Sequence, residues 1–231
     1  KFQIYVIYKF GVHETITVDM QQPVMTFPLR EKPVIIIPNP NGQGYGQFTL
    51  DDDYLRQLPL RLITTHNNLY RYVLLQTIHD NYLMGKVNPS YFGEIHRMMM
   101  SEKDPLVMST AIDHMFKIAF DMQPDERKTL ELCMMDLLGE NRSKECRQLI
   151  IRKLAANMTS PDVMRQIEAI WQSHSETIFD EHDYMDMAYR LAMLQPGRWQ
   201  QIISTQRSRL QTEDLRKEFD YVSRACNPDA Q

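Results

Sequence analysis

The sequence predicts a mostly α-helical fold. We expect an α-α superhelical array of antiparallel helix pairs, of the HEAT or armadillo kind, preceded by a small antiparallel β-sandwich fragment. The first observation is a proline that returns at intervals of 35, 37 and 35 residues, at Pro89, Pro124, Pro161 and Pro196. Proline suits the first position of a helix, and periods of about 33 to 47 residues with two helices each are typical of stacked helical repeats. The second observation is a change of pattern near residue 50, before which β-branched runs and turn residues prevail.

The composition restricts the class of protein. The chain has 231 residues, of which 43% are hydrophobic and 24% charged, as is typical of globular domains. A net charge of −4 provides no overall attraction to nucleic acid or anionic lipid, and no apolar run approaches the ~20 residues of a membrane helix. We therefore expect neither nucleic acid nor a membrane among the partners. The sequence leaves the compartment open.

Residues 1–50 are predicted to be the C-terminal part of a β-sandwich domain. A strand is expected at the N-terminus, where apolar residues alternate, and the best strand is the β-branched run that begins at Val34. Asn39–Gly42 is predicted to be a turn, with Gly42 at positive φ. The predicted strands cover residues 2–8, 15–18, 23–29, 34–37 and 44–50. The chain opens within a strand, so we expect the sheet to be part of a larger one.

Residues 51–231 are predicted to form an α-helical repeat domain that is cut short at its C-terminus. A short helix is expected at Tyr54–Leu58, stopping near Pro59, and a long helix follows from Leu69 to a glycine stop at Gly85. The remaining predicted helices are Pro89–Met100, Pro105–Phe120, Pro124–Leu138, Ser143–Asn157, Pro161–Ser173, His182–Leu194, Trp199–Ser208 and Thr212–Ala225.

Acidic residues and cysteines were considered as ligands and nucleophiles. We interpret Asp51, Asp52 and Asp53 as a helix start, because carboxylates complement the helix dipole there, and the alternative is a metal site. The cysteines Cys133, Cys146 and Cys226 form no CxxC pair. They are expected to be buried thiols and not zinc ligands.

The histidines form no HExxH pair, in which two imidazoles on one helix face bind zinc. The one local cluster of carboxylates and histidine is Glu181-His182-Asp183 with Asp186. We interpret it as capping and surface charge. The alternative is a metal-dependent enzyme that uses Glu181, His182 and Asp186, and it predicts stoichiometric metal in purified protein.

Other functional motifs are also weak. The glycine-rich Gly42–Gly46 leads into a predicted strand and not into a helix, which argues against a phosphate-binding loop. A basic run is interpreted as a solvated helix face, with contact to an acidic partner as the alternative; it comprises Arg142, Lys144, Arg147, Arg152 and Lys153. No residue is assigned a catalytic, cofactor-binding or metal-binding role. The chain alone is not expected to be an enzyme.

Four segments, Ile37–Phe48, Leu69–Leu75, His79–Tyr82 and Phe219–Asp229, resemble parts of M1-family zinc aminopeptidases, the gluzincins. Ile37–Phe48 (IPNPNGQGYGQF), followed by Leu50 and Asp51, resembles the end of the family's β-sandwich domain, just before its C-terminal helical domain. Leu69–Leu75 and His79–Tyr82 resemble the first helical hairpin of that domain. Phe219–Asp229 is similar to a segment in the bacterial branch. The Gly-Tyr-Gly of this chain departs from the Gly-Tyr-Tyr that is more usual in animal members.

The resemblance implies a non-catalytic C-terminal portion of such an enzyme. Family members bind zinc through HExxH, with a glutamate eighteen residues further on, and carry a GxMEN motif; both lie in an upstream domain, and this sequence contains neither. No cofactor is therefore expected in this chain, and zinc is expected in the absent catalytic domain. The implied partners are that upstream catalytic domain and the peptide substrates. The implied role is to enclose the active-site chamber and to control the access of peptides.

A free-standing helical-repeat adaptor that binds another protein is the alternative function. The 36-residue spacing of the prolines, on average, supports both hypotheses equally. The N-terminal sheet discriminates between them, because an adaptor has no need of half a sandwich. An excised aminopeptidase fragment must begin with one.

Overall fold

A computed structural model of the chain describes residues 1–87, 95–96, 99–139, 142–175 and 177–228. The fold is mostly α-helical with a small antiparallel sheet, which confirms the predicted class. The predicted helix Pro89–Met100 lies largely outside the described residues. The backbone forms two compact units, residues 1–114 and 115–231. The first unit contains both the sheet and the helices that follow it, and the domain boundary at residue 50 stays a prediction.

The sheet consists of β1 (Phe2–Ile7), β2 (His13–Val18) and β3 (Ile35–Pro38), in the order β2-β1-β3. Both neighbours run antiparallel to β1, with Ile4 opposite Ile16 and Val6 opposite Ile36. β-Branched residues favour this pleated geometry. Val6 lies on one face of the sheet and Ile35 and Ile37 on the other, because side chains alternate along a strand; all three are buried, so both faces are covered at this point.

Two predicted strands are wrong. Residues 23–29 form no ladder, and the prolines at both ends of this stretch, Pro23 and Pro28, lack the N–H that a ladder requires. Residues 44–50 are also irregular, because the Asn39 side chain occupies the polar backbone groups of Gly44. Asn39 Oδ1 accepts from Gly44 N at 2.7 Å, and Asn39 Nδ2 donates to Gly44 O at 2.9 Å.

The first helices are α1 (Asp52–Leu55), α2 (Leu58–Thr64) and α3 (Asn68–Leu83). The predicted stop at Pro59 is wrong, since this proline lies in the first turn of α2, where its missing N–H has no helical partner anyway. The glycine stop is confirmed: Gly85 follows α3 with φ +71°. Within this unit α3 packs against α2 and against β3.

The remaining helices agree with the predicted ones to within a few residues. Pro124 and Pro161 each begin a helix, whereas Pro196 begins a single 3-10 turn that precedes a helix at Trp199. Their bounds are α4 (Pro105–Ala119), α5 (Pro124–Asp136), α6 (Lys144–Asn157), α7 (Pro161–Ser173), α8 (Glu181–Leu194), α9 (Trp199–Arg209) and α10 (Glu213–Val222). No helix in the described ranges is long and apolar enough to span a membrane.

Within residues 115–231, helices pack against the next helix in the sequence and, in two cases, against the helix after that. α5 packs against α6 and α7, and α6 packs against α7 and α8. α8 also contacts α7 and α9, and α9 contacts α10. Helices that are adjacent in sequence thus pack together, and so do the pairs α5–α7 and α6–α8, which are separated by one helix.

Arginine side chains bind the carbonyl groups at the ends of several helices. These carbonyls have no partner within their own helix, so a guanidinium satisfies them and also complements the dipole. The donors and acceptors are Arg71 to Thr65 O after α2, Arg142 to Leu137 O after α5, Arg127 to Asn157 O and Arg190 to Met158 O at the end of α6, Arg209 to Trp171 O in α7, and Arg216 to Leu210 O after α9.

Candidate functional site

The three residues of the metal hypothesis contact different neighbours. Glu181 Oε1 lies 3.8 Å from His174 Nε2, whereas His182 Nε2 lies 3.5 Å from Glu218 Oε2. Burial raises the pKa of Asp186, and the charge of Asp183 raises it further. Across the part of the chain that the structure describes, no group of three metal-ligating side chains comes together.

Asp183 has a structural role next to this cluster. It is buried, accepts from Gln148 Nε2 at 2.8 Å and pairs with Arg152. Burial would raise the pKa of this carboxyl, but the hydrogen bonds from Arg152 and Gln148 outweigh it and leave the pKa below its usual value. Asp183 and Asp180 also form a reciprocal capping box at the start of α8.

The other sequence candidates occupy structural positions. Asp52 and Asp53 lie in the first turn of α1, and Asp53 pairs with Arg56 at 2.6 Å. Cys146 and Cys226 are buried, and Cys133 is half-buried. Burial raises the pKa of the Cys133 and Cys226 thiols, which makes both poorer nucleophiles.

The basic run consists of Arg142 and four residues of α6, and two of its arginines bind groups within the chain. Arg152 binds Asp183 in α8 and also Asp180, the N-cap of α8. Arg142 donates to the Leu137 carbonyl. The Gly42–Gly46 loop has positive φ at both ends, with Gly42 as predicted. Its middle glycine, Gly44, is held by two hydrogen bonds with the Asn39 side chain.

A buried glutamate organises the connection between α6 and α7. Glu131 of α5 has no exposed surface. Its Oε1 accepts from Thr159 N and from Thr159 Oγ1, each at 2.8 Å, and its Oε2 accepts from Ser160 N at 2.8 Å. A carboxylate at the start of α7 satisfies backbone donors there and complements the helix dipole.

Two arginines surround the same connection. Arg127 Nε lies 3.4 Å from Glu131 Oε1, and Arg127 Nη2 donates to Asn157 O at 3.0 Å. Arg190 Nη2 donates to Met158 O at 2.8 Å, while its buried Nε has no hydrogen-bond partner among the described residues. Burial lowers the pKa of Arg190, and the like charge of Arg127 lowers it further. We call Arg127, Glu131 and Arg190 the charged joint.

An open cleft of about 490 Å³ adjoins the charged joint. The Arg127 guanidinium lies 5.5 Å from the centroid of the Phe120 ring, and Phe120 is 75% exposed. Lys128 also lines the cleft, where its ammonium contacts Asp162 at 2.6 Å. The complete lining is Ala119, Phe120, Met122, Pro124, Asp125, Arg127, Lys128, Thr159, Ser160 and Pro161.

Sequence reasoning missed this cleft, although one signal was present. Glu131 lies next to the buried Leu130, on a helix whose buried side also carries Met134. A charged residue among buried positions is expected to be paired. Its partners, Thr159 and Ser160, lie 28 and 29 residues further along the chain, and no local pattern connects them.

Comparisons with known proteins do not assign the chain to a family. Neither a scan against protein-family models nor searches among curated proteins and among solved structures gave a match. The function therefore has to be argued from the residues and their geometry. Two features bear on it: the order of sheet and helices, and the cleft at the charged joint.

Proposed function

We propose that this chain is the non-catalytic C-terminal portion of a zinc aminopeptidase. It encloses the active-site chamber and controls the access of peptides to a catalytic domain that the chain lacks. The proposal combines the resemblance of Ile37–Phe48 and Phe219–Asp229 to M1-family segments with the succession of a sheet and many helices.

The observation that carries the proposal is the position of Ile37–Phe48. This segment begins in β3 and ends just before α1, so it joins the sheet to the helices. The Phe48 ring packs on Phe2 of β1 with 5.2 Å between centroids, and Phe48 O accepts from Asn81 Nδ2 of α3 at 2.9 Å. This position between sheet and helices is the one expected from the resemblance, and it supports the proposal.

We also propose the finer arrangement, an α-α superhelical array of HEAT or armadillo kind. The support is the packing pattern of residues 115–231, in which helices contact both the next helix and the one after it. Stacked helical hairpins produce such a pattern, because equivalent helices of successive pairs lie side by side.

In this proposal the chain contributes binding and enclosure, and the chemistry resides elsewhere. Zinc in the absent domain would polarise the peptide carbonyl and activate water, with a glutamate as base. The walls of a chamber exclude water and orient the substrate relative to such a centre. Residues of this chain would act by contact with the peptide alone.

The coding sequence upstream of Lys1 tests this proposal. An in-frame HExxH, followed after eighteen residues by a glutamate, is the expected result. A start codon directly before Lys1, or a domain of another kind, would overturn the aminopeptidase assignment. The second candidate would then take its place: a helical-repeat adaptor that binds another protein, which the packing of residues 115–231 favours.

A further inference from the structure

We propose that the cleft beside the charged joint binds the free C-terminal carboxylate of a peptide whose last side chain is apolar. The choice of a peptide as ligand rests on the proposed function. The requirement for an anion next to an apolar group rests on the cleft alone. All the residues concerned lie within the unit 115–231.

The charge of the cleft favours a single anionic group. Arg127 and Lys128 line it together with one acid, Asp125, in a chain whose net charge is −4. Lys128 is not neutralised by its contact with Asp162, since that carboxylate is shared with Arg165. Arg127 pairs with Glu131, but Arg190 stands beside them as a second guanidinium. Among the lining residues themselves, two cations and one acid leave an excess of one positive charge, which suits a carboxylate better than the nearly doubly charged phosphate.

A side-chain donor at the cleft adds to this preference. Ser160 lines the cleft at the N-cap of α7, is only 4% exposed, and makes no side-chain cap hydrogen bond. Its buried Oγ has no partner within the described part of the chain. A buried hydroxyl without a partner is costly, so a ligand oxygen would satisfy it.

The rest of the lining supplies an apolar wall. Phe120 presents most of its ring to solvent, and Met122 and Ala119 lie next to it. Methionine adapts its shape to different apolar groups, and an exposed aromatic ring gains free energy when a ligand covers it. An apolar last residue with its carboxylate directed towards Lys128 and Ser160 would fill both parts of the cleft.

Binding is tested by NMR titration of the ¹⁵N-labelled 231-residue protein with two peptides, N-acetyl-Ala-Ala-Leu and the same peptide with a C-terminal amide. We expect the carboxylate form to shift the amide signals of residues 125–128, 159, 160, 162 and 163, and to bind roughly fivefold more tightly than the amide form. Lys128→Gln should remove that advantage. Lys217→Gln on α10, an exposed lysine that also contacts a carboxylate, is the control and should leave it intact.

Several results would overturn the inference. They are equal binding of both peptides, no binding of either, shifts that map outside the cleft, and equal weakening by Lys128→Gln and Lys217→Gln. Each variant is first compared with the parent protein by thermal unfolding; both lysines are exposed, so both variants are expected to fold. The assay needs no catalytic domain. A failure here therefore leaves the aminopeptidase proposal standing, and the upstream sequence test is independent of it.

Discussion

At the scale of single residues, two buried glutamates accept hydrogen bonds from backbone N–H groups just before a helix begins. Glu131 accepts from Thr159 N just before α7. Glu102, which is also buried, accepts from Lys103 N and Asp104 N just before α4. Each is paired with an arginine, Arg127 in one case and Arg71 in the other. A buried carboxylate is tolerated only when hydrogen bonds and an opposite charge offset its desolvation.

Glu131→Gln tests this role. The amide keeps the size of the side chain but has only one acceptor oxygen, so it leaves a buried N–H without a partner and Arg127 without its counter-charge. We expect a loss of about 3 kcal/mol in the free energy of unfolding by urea. Glu213→Gln, at an exposed position 4.0 Å from Lys217, is the control and should leave the midpoint unchanged. Equal effects of the two substitutions would contradict the account of the charged joint.

Gly44 is required by close packing. A Cβ on this residue would lie 2.5 Å from Phe2 Cβ and 3.0 Å from Asn39 Oδ1. Gly44→Ala should therefore destabilise the protein by about 2 kcal/mol, because neither the strand nor the turn can move freely. Gly197→Ala is the control, since no atom lies within 4 Å of its Cβ position. The two variants are compared by thermal unfolding. An unchanged unfolding temperature of the Gly44→Ala protein would show that this close contact does not limit the residue at position 44.

His174 gives the protein a pH-sensitive residue. It ends α7 with φ +44° and stacks on Tyr184 at 4.0 Å. Burial lowers its pKa, Arg209 lowers it further, and Glu181 opposes both. The unfolded chain thus binds the proton more readily, so His174 contributes stability above about pH 6.5 that is lost as the pH falls below it.

His174→Asn should flatten this dependence. Asparagine also accepts the left-handed conformation but does not titrate. The free energy of unfolding is measured from pH 8 to pH 5 for both proteins. We expect the parent protein to lose more stability than the variant on acidification. Parallel curves would show that His174 does not contribute.

At the scale of elements, arginines at helix ends fix how helices meet. Arg209 of α9 donates to Trp171 O and Gln172 O at the end of α7, and its guanidinium lies 4.9 Å from the Trp171 ring centroid. Trp171 Nε1 in turn donates to Gln206 Oε1 at 2.8 Å, so α7 and α9 are joined by three kinds of contact.

Arg209→Gln is expected to loosen the end of α7. Loss of the carbonyl hydrogen bonds and of the cation–π contact should cost about 2 kcal/mol. Arg207→Gln on the same helix is the control. Arg207 pairs with Asp220 at a half-exposed position, so the loss of stability in this variant should be smaller. Hydrogen exchange of the amides at residues 170–174 should accelerate in the first variant and not in the second.

The helices could be predicted because their signals are local. Pro124 and Pro161 at first positions, the N-caps Ser143 and Asp180, and Gly85 after α3 all act within a few residues of a helix end. The β-branched Ile35–Ile37 likewise specifies a strand. Pro196 was less informative, because a 3-10 turn accepts proline equally well.

The remaining features depend on contacts between distant residues. The loop at Gly44 is irregular because of Asn39, which captures the backbone that a strand would need. The charged joint and its cleft unite α5 with residues about 30 positions away, a distance over which no periodic pattern operates. Such a site becomes visible only once the helices are packed.

At the scale of the whole molecule, the proposed function gives each of the two compact units a part in a larger enzyme. The first unit joins a sheet to helices through the family-like segment Ile37–Phe48, and the second carries the cleft at the charged joint. The described residues supply no metal cluster of their own. In the proposed function, this chain contacts the peptide and bond cleavage takes place in another domain.

The most direct test of this division is made on the natural protein, isolated from its source cells with an antibody against residues 115–231. We expect it to contain about one zinc ion per chain, to release N-terminal amino acids from peptides, and to lose that activity on treatment with a chelator. The recombinant 231-residue protein should bind no zinc and should release no amino acids from the same peptides. A natural protein without zinc and without this activity, or hydrolysis by the 231-residue protein itself, would contradict the account.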